Sequence, residues 1–268
     1  MKPASFYPGR VTRLVIAVIV GAFVLIPLAM TAEFTLRTRT GHSLIHWTTV
    51  FNPANAKSYK ELWTGLTNSL MLMVTTVVIV LVLIAPTMIL INLKFPRLRR
   101  VFEFVALLPI SIPAIVLVVG LSPIYIVIGR TLGTSAWTLC LAYGILVLPF
   151  SFRAIQAGID ATNITTLAEA ARSLGASWPN VVWRVLAPNL RTGLLAGSLI
   201  SVAVVLGEYT IASLLNRQNL QTALVVVNQM DAYVAVIFSL LALLFCFVLL
   251  LVVGRLGRIG SSNKERQP

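Results

Sequence analysis

Long apolar runs separated by short polar stretches set the pattern of this chain. Six runs stand out, at about residues 14–32, 66–92, 101–122, 136–157, 193–215 and 233–253. About 20 residues of helix, rising 1.5 Å each, cross the roughly 30 Å hydrocarbon layer of a bilayer, so these runs predict six transmembrane helices. The segment 158–192, between the fourth and fifth runs, is different. Apolar density drops there, yet Leu167, Ala170, Ala171 and Leu174 recur at helical spacing. That predicts a helix over 166–174, capped by Thr165 or Thr166 and ended by Gly175 in the left-handed conformation. Ser177-Trp178-Pro179 then restarts a second helix over 179–187, with Pro179 in its first turn, Val181, Val182 and Val185 on its apolar face, and Pro188 closing it.

Composition agrees with the pattern. Of 268 residues, 58% are hydrophobic and only 11% charged, and the mean hydropathy is +0.92, well above a soluble domain of about half apolar residues. A net charge of +13 suggests nucleic acid at first, but the Lys and Arg residues sit between apolar runs, without the continuous basic face that such a partner needs. They set orientation instead. An even number of crossings puts both ends on one side, and the ends together with the second and fourth loops, with Arg153 at the loop-side end of the fourth run, hold 15 of the 21 Lys and Arg residues. The positive-inside rule therefore makes cytoplasmic the N-terminus 1–13, the basic loop Lys94 to Arg100, the loop 158–192 and the tail 255–268, around a single membrane domain at 14–254. Four of the remaining basic residues, Arg37, Arg39, Lys57 and Lys60, lie in the first external loop, 33–65, so the orientation rests on the sum. That loop also carries the turn-forming Asn52-Pro53 and a short interfacial helix expected near Trp63. The charged start Lys2, Arg10 and Arg13 resembles the beginning of a signal peptide. A run of about 19 residues exceeds the usual 7–15, however, and Met30 sits where a small residue is needed before a cleavage site, so the first run reads as an uncleaved anchor.

Much catalytic chemistry has no residues here. There is no phosphate-binding G-x-x-x-x-G-K-[S/T] loop, no H-E-x-x-H and no G-x-S-x-G. His42 and His46 are spaced to share a helical face but have no further ligand set, and no metal site is expected. Cys140 and Cys246 each lie inside an apolar run and read as packing residues. Asn163-Ile164-Thr165 matches a glycosylation sequon on the side where that modification does not occur.

Inside the runs, Pro86, Pro109, Pro113 and Pro149 each remove a backbone hydrogen bond that neighbouring helices or water must replace. Glu208 is the one deep acid, and a carboxyl within a span costs about 2.5 kcal/mol or more. It is a pathway or subunit-contact residue, an interfacial acid near the outer end of the span, or an acid neutralised by Arg in a partner chain. Glu103 is expected to pair with Arg99 or Arg100. Tyr209, Ser111, Ser151 and Ser201 are the other candidate pathway residues, although serines in spans commonly bond their own helix.

Glu169-Ala170-Ala171, three residues, Gly175, and a later Val185 and Pro188 together resemble the cytoplasmic loop of permease subunits of binding-protein-dependent ABC importers. The resemblance extends over about residues 66–253, through Leu148-Pro149-Phe150 and through Gly207-Glu208-Tyr209, which is similar to a G-E-aromatic segment of the polyamine, iron, thiamine, molybdate and sulfate branch. The chain departs from the usual pattern at Ala187, where Leu is common, and at Val185, where Ile is common. The resemblance implies an all-α, six-helix type I importer permease that is no enzyme by itself, in a bacterial inner membrane. It implies a second permease subunit, two ATP-binding subunits that carry ATP and Mg, and a substrate-binding protein, with no cofactor on this chain and no nucleic-acid partner. Glu169, Ala170, Ala171, Arg172, Leu174, Gly175, Ala176 and Pro188 are then the residues that couple to the ATPase. The cargo is expected to be a small solute such as a polyamine, with anions, iron, thiamine, phosphonate and sugars as alternatives. An amphipathic helix lying on lipid headgroups, and an ATPase-independent channel or secondary transporter, are the competing readings.

Overall fold

The computed structural model describes residues 9–259, so the outermost parts of the expected segments 1–13 and 255–268 lie outside the described residues. The described residues divide into two compact units, one formed by 9–59 with 227–241, the other by 60–226 with 242–259.

In the first unit, α1 (Arg10–Leu36) leads into a two-stranded hairpin, β1 (Arg37–Thr38) and β2 (Gly41–His42), and then α2 (Ile45–Phe51). Helix α1 is apolar nearly all round, with Val18, Phe23 and Leu25 exposed, as expected of a helix whose solvent is lipid. The connecting segment is well tied down. Tyr233 stacks on both Phe34 (4.9 Å) and His46 (3.9 Å), and Trp47 Nε1 donates to Thr35 Oγ1 at 3.1 Å. The Tyr59 hydroxyl donates to Asp231 Oδ2 at 3.3 Å; burial, and then the adjacent carboxylate, push this phenol above its ordinary value. His42 meets Glu33 at 2.9 Å, so each histidine has its own partner. The short helix expected near Trp63 is instead α2, and Trp63 already belongs to the next helix.

The second unit opens with α3 (Lys60–Ile79), which passes through a π turn at Val80–Ile84 into α4 (Ala85–Lys94). There follow α5 (Arg99–Ser111), α6 (Ala114–Thr131), α7 (Cys140–Asp160), α8 (Ile164–Ser173), α9 (Trp178–Asn180), α10 (Ala187–Asn189), α11 (Arg191–Gly207), α12 (Thr210–Leu214) and α13 (Leu220–Met230); α14 (Ala232–Ile259) completes the order. Among the described residues five helices are long and apolar enough to cross a membrane: Arg10–Leu36, Lys60–Lys94, Ala114–Thr131, Ala136–Asp160 and Ala232–Arg255. A sixth span arises if Trp178–Asn189 and Arg191–Gly207, bent by 80°, count as one. The protein is a multi-pass, all-α membrane protein.

Prolines explain where these helices depart from the hydropathy pattern. The run 101–122 is not one helix, because Ile112 and Pro113 are extended, with ψ of 122° and 138°. A residue before proline is pushed out of the α region, so α5 stops and α6 restarts, continuing to Thr131. Two other prolines are absorbed without a break. The π turn at Val80–Ile84 precedes Pro86, and another at Val181–Leu186 precedes Pro188. Widening the helix there relieves the clash between the proline ring and the preceding turn. Pro188 therefore does not close the second loop helix; the helical path runs on to Asn189.

Helix α7 forms the centre of the second unit, burying Ala142, Tyr143, Val147, Ser151, Phe152 and Ile155. Helix α11 packs closely on it through Gly193, Gly197 and Ser201, spaced four apart. A Cβ on Gly193 would stand 3.0 Å from the Ala154 carbonyl oxygen and 3.2 Å from the Gly158 Cα. This small-residue ridge lets two backbones approach, the usual source of helix association where lipid supplies no hydrophobic drive.

Candidate functional site

Helix α8 begins one residue after Asn163, whose side chain accepts from Thr166 N at 3.3 Å. Asn163, not Thr165 or Thr166, is thus the cap, and Thr166 occupies the third helical position that a capping side chain reaches. The far end is closed by two backbone bonds, Ala176 N to Ala171 O at 3.0 Å and Gly175 N to Arg172 O at 2.9 Å. Gly175 sits at φ +83°, the left-handed end that glycine adopts without strain. The sharp turn expected from the sequence is present at the expected residue.

The two faces of α8 have different duties. Ile164, Ala168 and Ala171 are buried, at the spacing of one helical stripe. Ala171, expected among the docking residues, is turned inward. Glu169, Ala170 and Gly175 are exposed, Pro188 is exposed on the second helix, and Ala176 is half-buried. Leu174 is 89% exposed, an apolar side chain at the tip of the turn with nothing of its own chain over it. Arg172 is exposed but committed: its Nη1 donates to the Ala176 carbonyl at 2.6 Å, and its guanidinium lies 5.5 Å from the Trp178 ring. Lys94 Nζ, at the end of α4, lies 4.3 Å from the same ring. Trp178 thereby ties the loop to α4 through the Lys94 contact and joins its own two helical pieces through the Arg172 contact, each cation–π contact worth about 0.5–1 kcal/mol at an exposed site.

A second set of polar contacts holds the neighbouring end of α7. Arg99 Nη2 meets Asp160 Oδ1 at 2.8 Å, Gln156 Nε2 donates to the same oxygen at 3.0 Å, and Asn92 Nδ2 donates to Gln156 Oε1 at 3.2 Å. Arg99 pairs with Asp160 and not with Glu103, since Asp160 closes the far end of a helix packed beside α5 whereas Glu103 is exposed. The exposed ion pair contributes little by itself; with the two amides it braces α4, α5 and α7 where the loop departs.

Well over half of the chain, residues 88–258, matches the model of one family, described as the binding-protein-dependent transport system inner membrane component. The chain belongs to that family. It is a permease subunit of an ABC importer, a non-catalytic membrane component, and the exposed helix-turn-helix lies within the matched region. Among curated proteins, none matches the chain.

The permease's intramembrane candidates fall into two groups. Glu208 is only 8% exposed, and its carboxylate accepts from Ile211 N at 2.7 Å and Ala212 N at 3.3 Å. It caps α12 after the chain leaves α11, so the fifth apolar run is a helix, a capped break and a second short helix. Ser151 and Ser201 are fully buried between α7 and α11, bonding Val147 O and Gly197 O at 2.9 and 2.7 Å, and neither lines an open path in this conformation. Ser111 is exposed at the end of α5, and Tyr209 is 42% exposed.

Asn219 had drawn no notice in the sequence. Fully buried, it donates through Nδ2 to Glu208 O (2.6 Å) and Tyr143 Oη (3.0 Å), while its Oδ1 accepts from Thr222 N (2.9 Å). It joins α7, the break after α11 and α13. Gly65 belongs with it, since a Cβ there would fall 2.6 Å from the Asn219 carbonyl oxygen. The glycine ridge was missed as well, although Gly193-x-x-x-Gly197 follows a small-x-x-x-small pattern within an apolar run that signals it; Asn219 carries no signal that separates it from any loop asparagine.

Proposed function

We propose that this permease is one of two membrane subunits of an ATP-driven importer in a bacterial cytoplasmic membrane, with both ends and the 158–192 loop on the cytoplasmic side. Two separate ATPase subunits bind ATP and Mg, and their closure draws the α8 turns together and opens the spans toward a loaded substrate-binding protein; hydrolysis resets the inward-open state. The observation that carries this reading is the α8 tip: a helix closed by left-handed Gly175, seated by Ile164, Ala168 and Ala171, and presenting Leu174, Ala170 and Glu169 outward. A helix that merely lay on lipid headgroups would have no need of the Trp178 tie to α4. An apolar knob beside a carboxylate suits a groove on a partner protein.

The cargo is a small solute. The case for a polyamine loses its main support, because the Glu208 carboxylate is engaged by the backbone of α12. Affinity purification of the tagged permease from its native membrane tests the reading. A P-loop ATPase is expected to co-purify, to be lost with Leu174→Asp, and to remain bound but uncoupled from uptake with Gly175→Pro. Purification without any ATPase, or normal coupled uptake in both variants, overturns it.

A further inference from the structure

We infer that the cavity of about 360 Å³ bordered by Glu61, Tyr209, Ser213, Arg217, Gln218 and Thr222 is a binding subsite for a small zwitterionic solute. The inference rests on the importer reading for its biological sense and goes beyond it in the class of ligand. The volume falls within the range of about 300–1,000 Å³ typical of small-molecule sites. Helix α11, 17 residues long and thus about 25 Å, separates this cavity from the loop that carries α8, which places it at the opposite end of the unit.

The cavity's walls are held by hydrogen bonds between segments. Gln218 Nε2 donates to the Glu61 carbonyl at 2.9 Å, Asn68 Nδ2 to the Gln218 carbonyl at 2.9 Å, and Leu220 N to Ser69 Oγ at 2.8 Å. The turn that presents Arg217 repeats the closure seen at Gly175. Asn216 takes the left-handed position at φ +50°, with Arg217 N bonded to Ala212 O at 2.8 Å and Asn216 N to Ser213 O at 3.1 Å. Asparagine tolerates that conformation better than other side-chain-bearing residues.

Two opposite charges border this one cavity without meeting. Among the described residues neither Glu61 nor Arg217 forms an ion pair. Arg217 Nη1 donates to the carbonyls of Leu215 and Asn216 at 3.1 and 3.3 Å, whereas its Nε is buried with no partner. A guanidinium oriented by its own turn, with donor capacity left over, suits a carboxylate or other anionic group. Glu61 suits the cationic group of the same ligand, and the exposed Tyr209 ring offers that group a cation–π face. A purely cationic solute would face Arg217 and a purely anionic one Glu61, so only a ligand bearing both charges satisfies both walls.

The full-length permease in lipid nanodiscs, with any ATPase that co-purifies, is screened by unfolding midpoint against free α-amino acids. Each is paired with its carboxamide, which is a cation, and its N-acetyl derivative, which is an anion. At least one zwitterion is expected to raise the midpoint, with both derivatives binding about 10- to 100-fold more weakly, the loss of one charge-assisted contact. Arg217→Gln is expected to move the preference to the carboxamide and Glu61→Gln to the N-acetyl derivative, a swap that misfolding cannot produce. The inference fails if no zwitterion acts, if the derivatives act equally, or if either variant keeps the original preference. A preparation that holds an ATPase yet ignores every zwitterion overturns this inference alone, and one that binds a zwitterion but no ATPase overturns the importer reading alone.

Discussion

Glu208 shows how one side chain can carry opposite meanings until its partners are seen. An acid in an apolar run must be compensated, and a carboxylate facing solute or another subunit was one way to do so. Here the compensation is local, because the backbone N–H groups of Ile211 and Ala212 lie three and four residues on. The variants Glu208→Ala and Glu208→Gln separate a cap from a pathway acid. Alanine orphans two buried donors and is expected to lower stability by about 1–3 kcal/mol, whereas glutamine keeps an acceptor oxygen and loses less than half of that. Denaturation in detergent reads the difference. Full stability of Glu208→Ala alongside abolished uptake would return the residue to the pathway. Gly175 is the opposite case, since an αL helix end after a periodic apolar stripe is written in local residue types. Its turn was legible without any tertiary contact.

At the level of elements, hydropathy located the runs but not their breaks. A window average treats Ile112-Pro113 as more apolar sequence, whereas the backbone there is extended and hands over from α5 to α6. The same average hides that two other prolines, Pro86 and Pro188, are carried through π turns. Which outcome follows depends on whether neighbours hold the flanking turns in place, and that is a property of packing. The α7–α11 contact gives this a measurable form. A Cβ added at Gly193 would stand 3.0 Å from main chain, whereas one at Gly197 would stand 3.2 Å from the movable Ile155 side chain. Gly193→Ala is therefore expected to cost about 1–3 kcal/mol, in the range of overpacked cores, and Gly197→Ala markedly less. A thermal melt of both variants decides it, and equal effects would mean that the ridge is not packed as described.

For the whole molecule, the side of the membrane to which each loop belongs still comes from charge. The proposed orientation, with the α8 turn and both ends in the cytoplasm, rests on the positive-inside count. A single cysteine replacing Leu174 in a Cys140→Ala/Cys246→Ala background should react with an impermeant maleimide only in inverted vesicles, and one replacing Arg39 only in intact spheroplasts. Reversed labelling would invert the topology and remove the α8 tip from any cytoplasmic ATPase. The sequence by itself determined the class of this protein, the number of its apolar runs and the position of the turn at Gly175. These depend on composition, hydropathy and local backbone preference, all properties of neighbouring residues. Only the tertiary structure decided that Ala171 faces inward, that Glu208 is a cap, that Trp178 is clamped by Lys94 and Arg172, and that Glu61 and Arg217 border one cavity. Each of those facts joins residues to a particular partner or surface, and one-dimensional spacing does not encode which side chains three-dimensional packing brings together.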